Sequence, residues 1–155
     1  GGPIALISGI ENEVESVTTW AGVSDLSYVI QPQIMEEWKS KGVHFIYNGR
    51  TKQQMPMYKQ FGEDIAQNKL RYDLSQYQHR YKNLPKMHFI HGTADQAVPL
   101  NAMIELKRIF SNAKTTEISD AGHTFDAVHP MPHPELPEAL RKVCQVTLRQ
   151  IMQSV

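Results

Sequence analysis

The sequence predicts an α/β protein: a mostly parallel sheet flanked by helices. Three observations carry that expectation. Short β-branched and apolar runs alternate with helix-length amphipathic segments through the second half of the chain. The connections between those runs are long enough to hold crossover helices, which parallel strands require. The strongest tight-hairpin signal, Asn48-Gly49, lies well away from that alternation, so antiparallel pairing is expected to be local.

The elements follow in chain order. Pro3 in the first turn suits the start of a short helix over Ile4-Ala5-Leu6-Ile7, because its missing N–H costs nothing there. Ser16-Val17-Thr18-Thr19-Trp20 is β-branched and aromatic and stops at Ala21-Gly22, the pattern of a buried strand. Good helix formers from Gln33 to Lys39 run into Lys41-Gly42, a basic last turn with a glycine beyond it. Val43 to Tyr47 predicts a strand that turns at Asn48-Gly49 and returns over Thr51 to Met55, with Pro56 as its stop. Tyr58 to Asn68 and Asp73 to Lys82 predict two helices, the second opened by Asp73 with Gln76 at capping-box spacing. Met87-His88-Phe89-Ile90 predicts an apolar strand, Asn101 to Phe110 a one-sided helix, and Thr115 to Ile118 a further strand. Glu138 to Met152 sets Leu140, Val143, Cys144, Leu148, Ile151 and Met152 on one face of a terminal helix. The four prolines between Val128 and Pro137 make that stretch a stiff loop.

Composition narrows the function classes. Sixteen basic and sixteen acidic residues in 155 give zero formal charge, which argues against nucleic acid or an anionic membrane as a partner. No apolar run approaches the roughly 20 residues of a membrane span. Lys and Arg are absent from the first 38 residues, unlike a secretory leader. One cysteine, Cys144, excludes an internal disulfide and fits a reducing, cytoplasmic setting. The length suits a single domain over 1–155.

In a parallel sheet, binding and catalytic side chains gather at the carboxyl ends of the strands. Strand 87–90 runs into His91-Gly92-Thr93-Ala94-Asp95, and strand 115–118 into Ser119-Asp120-Ala121-Gly122-His123. If these strands are neighbours, Asp95 and His123 project from adjacent loops. A carboxylate that accepts from one imidazole nitrogen fixes the tautomer and leaves the other nitrogen as a general base. Asp95 and His123 are therefore the candidate catalytic residues; the plainer alternatives are a turn-capping Asp95 and a structural loop histidine. Asp120 and Asp126 are rival acids, the first a turn residue and the second too near His123 in sequence. His91 reads as a locally packed or hydrogen-bonded residue, and His44, His79 and His88 as strand or helix-surface residues. His123, Asp126, His129 and His133 have metal-like spacing, but Pro130, Pro132 and Pro134 forbid the helix such a set would need, so no metal or cofactor is expected. Tyr58, Phe61, Tyr72, Tyr77 and Tyr81 could line a substrate pocket under a cap, although helix packing is the more common explanation of such aromatics. Cys144 reads as a small core residue.

The run His91-Gly92-Thr93-Ala94-Asp95-Gln96-Ala97-Val98-Pro99, followed 28 residues after Asp95 by Gly122-His123-Thr124-Phe125, resembles the C-terminal half of α/β-hydrolases, with a look closest to the dienelactone-hydrolase and prolyl-oligopeptidase-like branch. Val17 to Gly22 is similar to the strand after the nucleophile helix of that family. The likeness covers about 1–26 and 83–155 and implies a partial, incomplete α/β-hydrolase domain over 1–155, with 31–82 as a helical and hairpin cap-like insertion within it. It implies a serine hydrolase cleaving ester or peptide-like acyl bonds, with Asp95 orienting His123. A nucleophile elbow G-x-S-x-G should also be present, and no serine or cysteine here sits in that frame. Gly1-Gly2 before a helix resembles the tail of such an elbow, which would place the serine upstream of Gly1 and leave this chain alone inactive. Self-association through a sheet edge exposed by that truncation is the expected consequence. The competing expectations are a non-catalytic binding module of the same fold and a small metalloprotein using the His123–His133 cluster.

Overall fold

A computed structural model describes residues 1–49 and 51–153. The chain divides into two compact units, Gly1–Ser24 with Leu74–Val155, and Asp25–Asp73.

In the first unit, α1 (Gly2–Glu11) carries Pro3 in its first turn and extends further than its short apolar run suggested. It leads to β1 (Ser16–Trp20). In the second unit, α2 (Pro32–Lys41) ends at Gly42, whose φ of 73° is the left-handed conformation that lets a chain leave a helix without a Cβ clash. The strands β2 (Val43–Asn48) and β3 (Gln53–Tyr58) pair antiparallel. The hairpin is longer than a two-residue turn: Asn48 faces Gln53 across a loop in which Thr51 N–H donates to Asn48 Oδ1. Arg50 in that loop lies outside the described residues. Pro56 does not stop the return strand, because a two-stranded ribbon leaves each strand an open side where a missing N–H interrupts nothing. The helices α3 (Gln60–Gln67) and α4 (Lys69–Tyr72) complete this unit. Trp38 is buried on it, donating its indole N–H to the Met57 carbonyl at 2.8 Å, and His44 pairs with Glu37 at 3.0 Å.

The helix expected over Asp73 to Lys82 is broken. Leu74–Gln76 is a 3-10 turn and only α5 (Tyr77–Arg80) is α-helical, so Asp73 precedes a tight turn instead of capping an α-helix. Next come β4 (Lys86–Gly92), α6 (Asn101–Ile109), β5 (Lys114–Ile118) and α7 (Glu138–Met152). The sheet order is β1-β4-β5, all parallel, with Trp20 level with Ile90 and Gly92 level with Ile118. Parallel strands with helical crossovers are covered on both faces. On one face Ile90 and Ile118 pack with Ala139 and Val143 of α7. On the other, Val17 meets α1 near Gly9, and Phe89 meets Phe110 at the end of α6 with ring centroids 6.3 Å apart. Burying a side chain the size of Phe89 or Ile90 contributes roughly 1.5–3 kcal/mol, so this central strand anchors the unit. Among the described residues no helix is long and apolar enough to cross a membrane.

Candidate active site

Because β4 and β5 pair in register, their carboxyl ends stop side by side and deliver two loops to one edge of the sheet. Gly92 makes this closeness possible: a Cβ there would lie 2.2 Å from the Ala121 carbonyl oxygen. The loops are stitched by backbone bonds, Thr93 N–H to Ile118 O and Ala94 N–H to Ala121 O, both 3.0 Å. Thr93 adds its Oγ1 as acceptor for the Asp120 N–H at 2.8 Å.

Asp95 and His123 meet across this seam, Nδ1 of His123 lying 2.9 Å from Oδ2 of Asp95. The carboxylate can only accept, so Nδ1 carries the hydrogen and Nε2 keeps its lone pair in the neutral ring. The Asp95 side chain is fully buried while that of His123 is 47% exposed. A buried acid behind a half-open imidazole is a polar pair with one reactive nitrogen. Oδ1 of Asp95 is also satisfied, accepting 2.9 Å bonds from the amides of Ala97 and Val98. Burial pushes the Asp95 proton affinity up, but the Val98 amide, His123 and the Ala97 amide outweigh it and hold the carboxyl below the usual aspartate range. Asp95 thus caps its own turn and also accepts from His123.

The His123 turn is held from the core. Phe125 is buried with a positive φ of 52°, followed by Asp126 at 65°. Its ring meets Trp20 edge-on at 6.2 Å, and the Trp20 indole N–H donates to Thr147 Oγ1 on α7 at 2.9 Å. Asp120 sits in the turn with φ of 59°, and Asp126 is exposed. No group of three His, Cys, Asp or Glu side chains among the described residues could hold a metal ion, so the spacing from His123 to His133 does not become a cluster.

The other singled-out residues disperse. Tyr77 and Tyr81 stack at 5.6 Å, whereas Tyr58, Phe61 and Tyr72 belong to the Asp25–Asp73 unit. His88 is not a surface residue: it is buried in β4, its Nε2 is 2.8 Å from Thr116 Oγ1, and burial together with Lys114 pushes its pKa down. His91 is buried with its Nε2 2.8 Å from the Val98 carbonyl. The contributions of Gly92 and Thr93 were not anticipated; the available signal was a lone glycine closing an apolar strand, which marks close backbone approach.

No protein-family model and no curated protein sequence matches the chain. The solved structures that share its fold include the following two. A protein of Agrobacterium vitis S4 assigned as a hydrolase matches 97% of the chain with a TM-score of 0.66 at 14% identity. Est1E from Butyrivibrio proteoclasticus matches 98% with a TM-score of 0.57 at 16% identity. The chain spans 58% of the length of each. At such identities the likeness is one of fold: the chain carries part of an α/β-hydrolase fold.

Proposed function

We propose that this chain supplies the acid–base half of a serine hydrolase that cleaves ester or peptide-like acyl bonds. The observation that carries the reading is the buried, triply hydrogen-bonded Asp95 carboxylate on Nδ1 of a half-exposed His123. Nε2 of His123 would take the proton of an attacking hydroxyl, then return it to the leaving group as the acyl-enzyme forms; a water molecule would repeat the cycle and release the acid. Asp95, held ionised, stabilises the imidazolium and stays unprotonated throughout. The similarity of Gly1-Gly2 to the end of a nucleophile elbow supports a serine located before Gly1. Ser24 does not fill that role, since its hydroxyl donates to Glu105 at 2.7 Å. In this reading the isolated chain has no activated nucleophile.

The test is fluorophosphonate labelling of this chain and of the longer product encoded with its upstream sequence. The longer product is expected to label, and His123→Ala to reduce labelling at least about 100-fold. Labelling of the isolated chain, or of the His123→Ala product at the parent rate, overturns the reading. We likewise propose that β1, which pairs only with β4 among the described residues, is an edge through which isolated chains associate. Sedimentation that stays monomeric over a wide concentration range would remove that proposal.

A further inference from the structure

We propose that His91 is a positioning residue for the Asp95–His123 pair, deciding which imidazole the Asp95 carboxylate serves. The inference rests on the reading of Asp95 and His123 as an acid–base pair.

Two imidazoles approach the same oxygen. Oδ2 of Asp95 is 2.9 Å from His123 Nδ1 and 3.5 Å from His91 Nε2. The difference is set by Val98. His91 Nε2 lies 2.8 Å from the Val98 carbonyl, which only accepts, so the Nε2 hydrogen is committed to that carbonyl. His91 Nδ1 is buried and has no hydrogen-bond partner in the described structure, consistent with a ring that holds its one hydrogen on Nε2. Oδ2 is thereby left to His123.

The same bond sets the carboxylate's orientation. Val98 is held from both sides, its carbonyl by His91 and its amide by Asp95 Oδ1 at 2.9 Å. Ala97 supplies a second amide to Oδ1, so the 95–98 turn closes around one oxygen and the other faces His123. His91 is rigid enough to act as that fixed point: it sits on the central strand, two residues beyond Phe89, and is 1% exposed. Without its donor, the Val98 carbonyl loses its partner, the turn relaxes, and the carboxylate loses its aim.

The experiment uses the chain itself and reads imidazole tautomers by nitrogen-15 NMR at alkaline pH. In the parent chain His91 is expected as the Nε2–H tautomer and His123 as the Nδ1–H tautomer. His91→Leu is expected to shift the His123 tautomer ratio about tenfold towards Nε2–H, the effect of losing a charge-assisted hydrogen bond. His91→Gln, whose amide can place a donor near the former Nε2, is expected to restore the parent ratio, and His91→Asn, whose shorter amide cannot, to behave like leucine. Dispersed amide spectra and a cooperative melt identify which variants are folded. An Nδ1–H tautomer at His91 in the parent chain overturns the proposal whatever the variants do. So does a folded leucine or asparagine variant with the parent ratio, or a glutamine variant no better than asparagine. Asp95→Asn separates the two readings: if it leaves His123 unchanged, the acid–base pair itself is lost, whereas a changed His123 there with an unchanged His91→Leu removes only the role of His91.

Discussion

The two compact units hide apolar surface in different ways. Gly1–Ser24 with Leu74–Val155 buries Leu6, Ile10, Phe89, Ile90, Leu106, Phe125 and Val143 almost completely, on both faces of a parallel sheet. Asp25–Asp73 buries Ile34 and Trp38 and leaves Phe45, Ile46, Tyr47, Met55 and Tyr58 exposed. A covered sheet spreads its stability over many side chains, whereas a two-stranded ribbon depends on the few it can press against a helix. The difference teaches why Asp95 and His123 belong to the first unit: a pair that must hold a 2.9 Å contact needs loops rooted in a core.

That contrast can be broken most directly at Trp38. Trp38→Ala is expected to cost the ribbon unit about 3–5 kcal/mol, enough to melt it locally. Hydrogen exchange should show β2 and β3 amides losing protection while β4 keeps its own; equal loss in both would erase the contrast. The chain has two tryptophans, Trp20 in one unit and Trp38 in the other, so fluorescence of single-tryptophan variants offers an independent readout.

Gly92→Ala should rank next, at about 1–3 kcal/mol, because the added Cβ would strike the Ala121 carbonyl and force backbone to move. The sharper expectation is local: Asp95 and His123 should separate, and the His123 Nδ1–H resonance should broaden or vanish while the ribbon amides stay unchanged. Gly42→Ala is expected to cost about 1 kcal/mol by placing a Cβ on a left-handed residue, seen as a lower midpoint for the ribbon transition alone.

The smallest effects are those of pH. Burial and Lys114 depress the His88 pKa, so the unfolded chain takes up this proton more readily than the folded one. The contribution is therefore present above the unfolded value of about 6.5 and is lost as pH falls through the lower folded value. His88→Gln should flatten denaturant midpoints across that window. Asp95 follows the same sign deeper in acid: its contribution holds above the unfolded value of about 3.8 and disappears as pH falls through the depressed folded one. Midpoints that do not vary from neutral to acid pH would show that neither group is linked to folding.

Much of the sheet unit was legible because its signals are local and repetitive. The runs Ser16–Trp20, Met87–Ile90 and Thr115–Ile118 all form strands, and Asn101–Phe110 and Glu138–Met152 form helices within a residue of the expected bounds. The boundary at Gly42 was equally readable from a basic turn followed by glycine. The ribbon was less so, since Pro56 signals a stop only when both sides of a strand are bonded. The segment Leu74–Arg80 failed because its helical composition competes with a tight turn whose Leu74 and Tyr77 are drawn into the core. At the site, order and spacing put Asp95 and His123 in loops after two strands, and the β4–β5 pairing makes those loops adjacent. The local hydrogen bond expected of His91 is present, but its Val98 partner and the burial of His88 were not legible, because single polar residues within a strand do not say how deeply either face is covered.

The seam at Gly92 has an evolutionary consequence. Where backbone rests on backbone, the spacing of the two loops cannot be adjusted by trading one side chain for a slightly larger one. Selection at position 92 meets a step and not a slope. Diversity around such a site must enter from neighbouring positions that take no part in that hold, such as the exposed stretch 128–136, whose length and side chains can drift while the spacing beneath stays fixed.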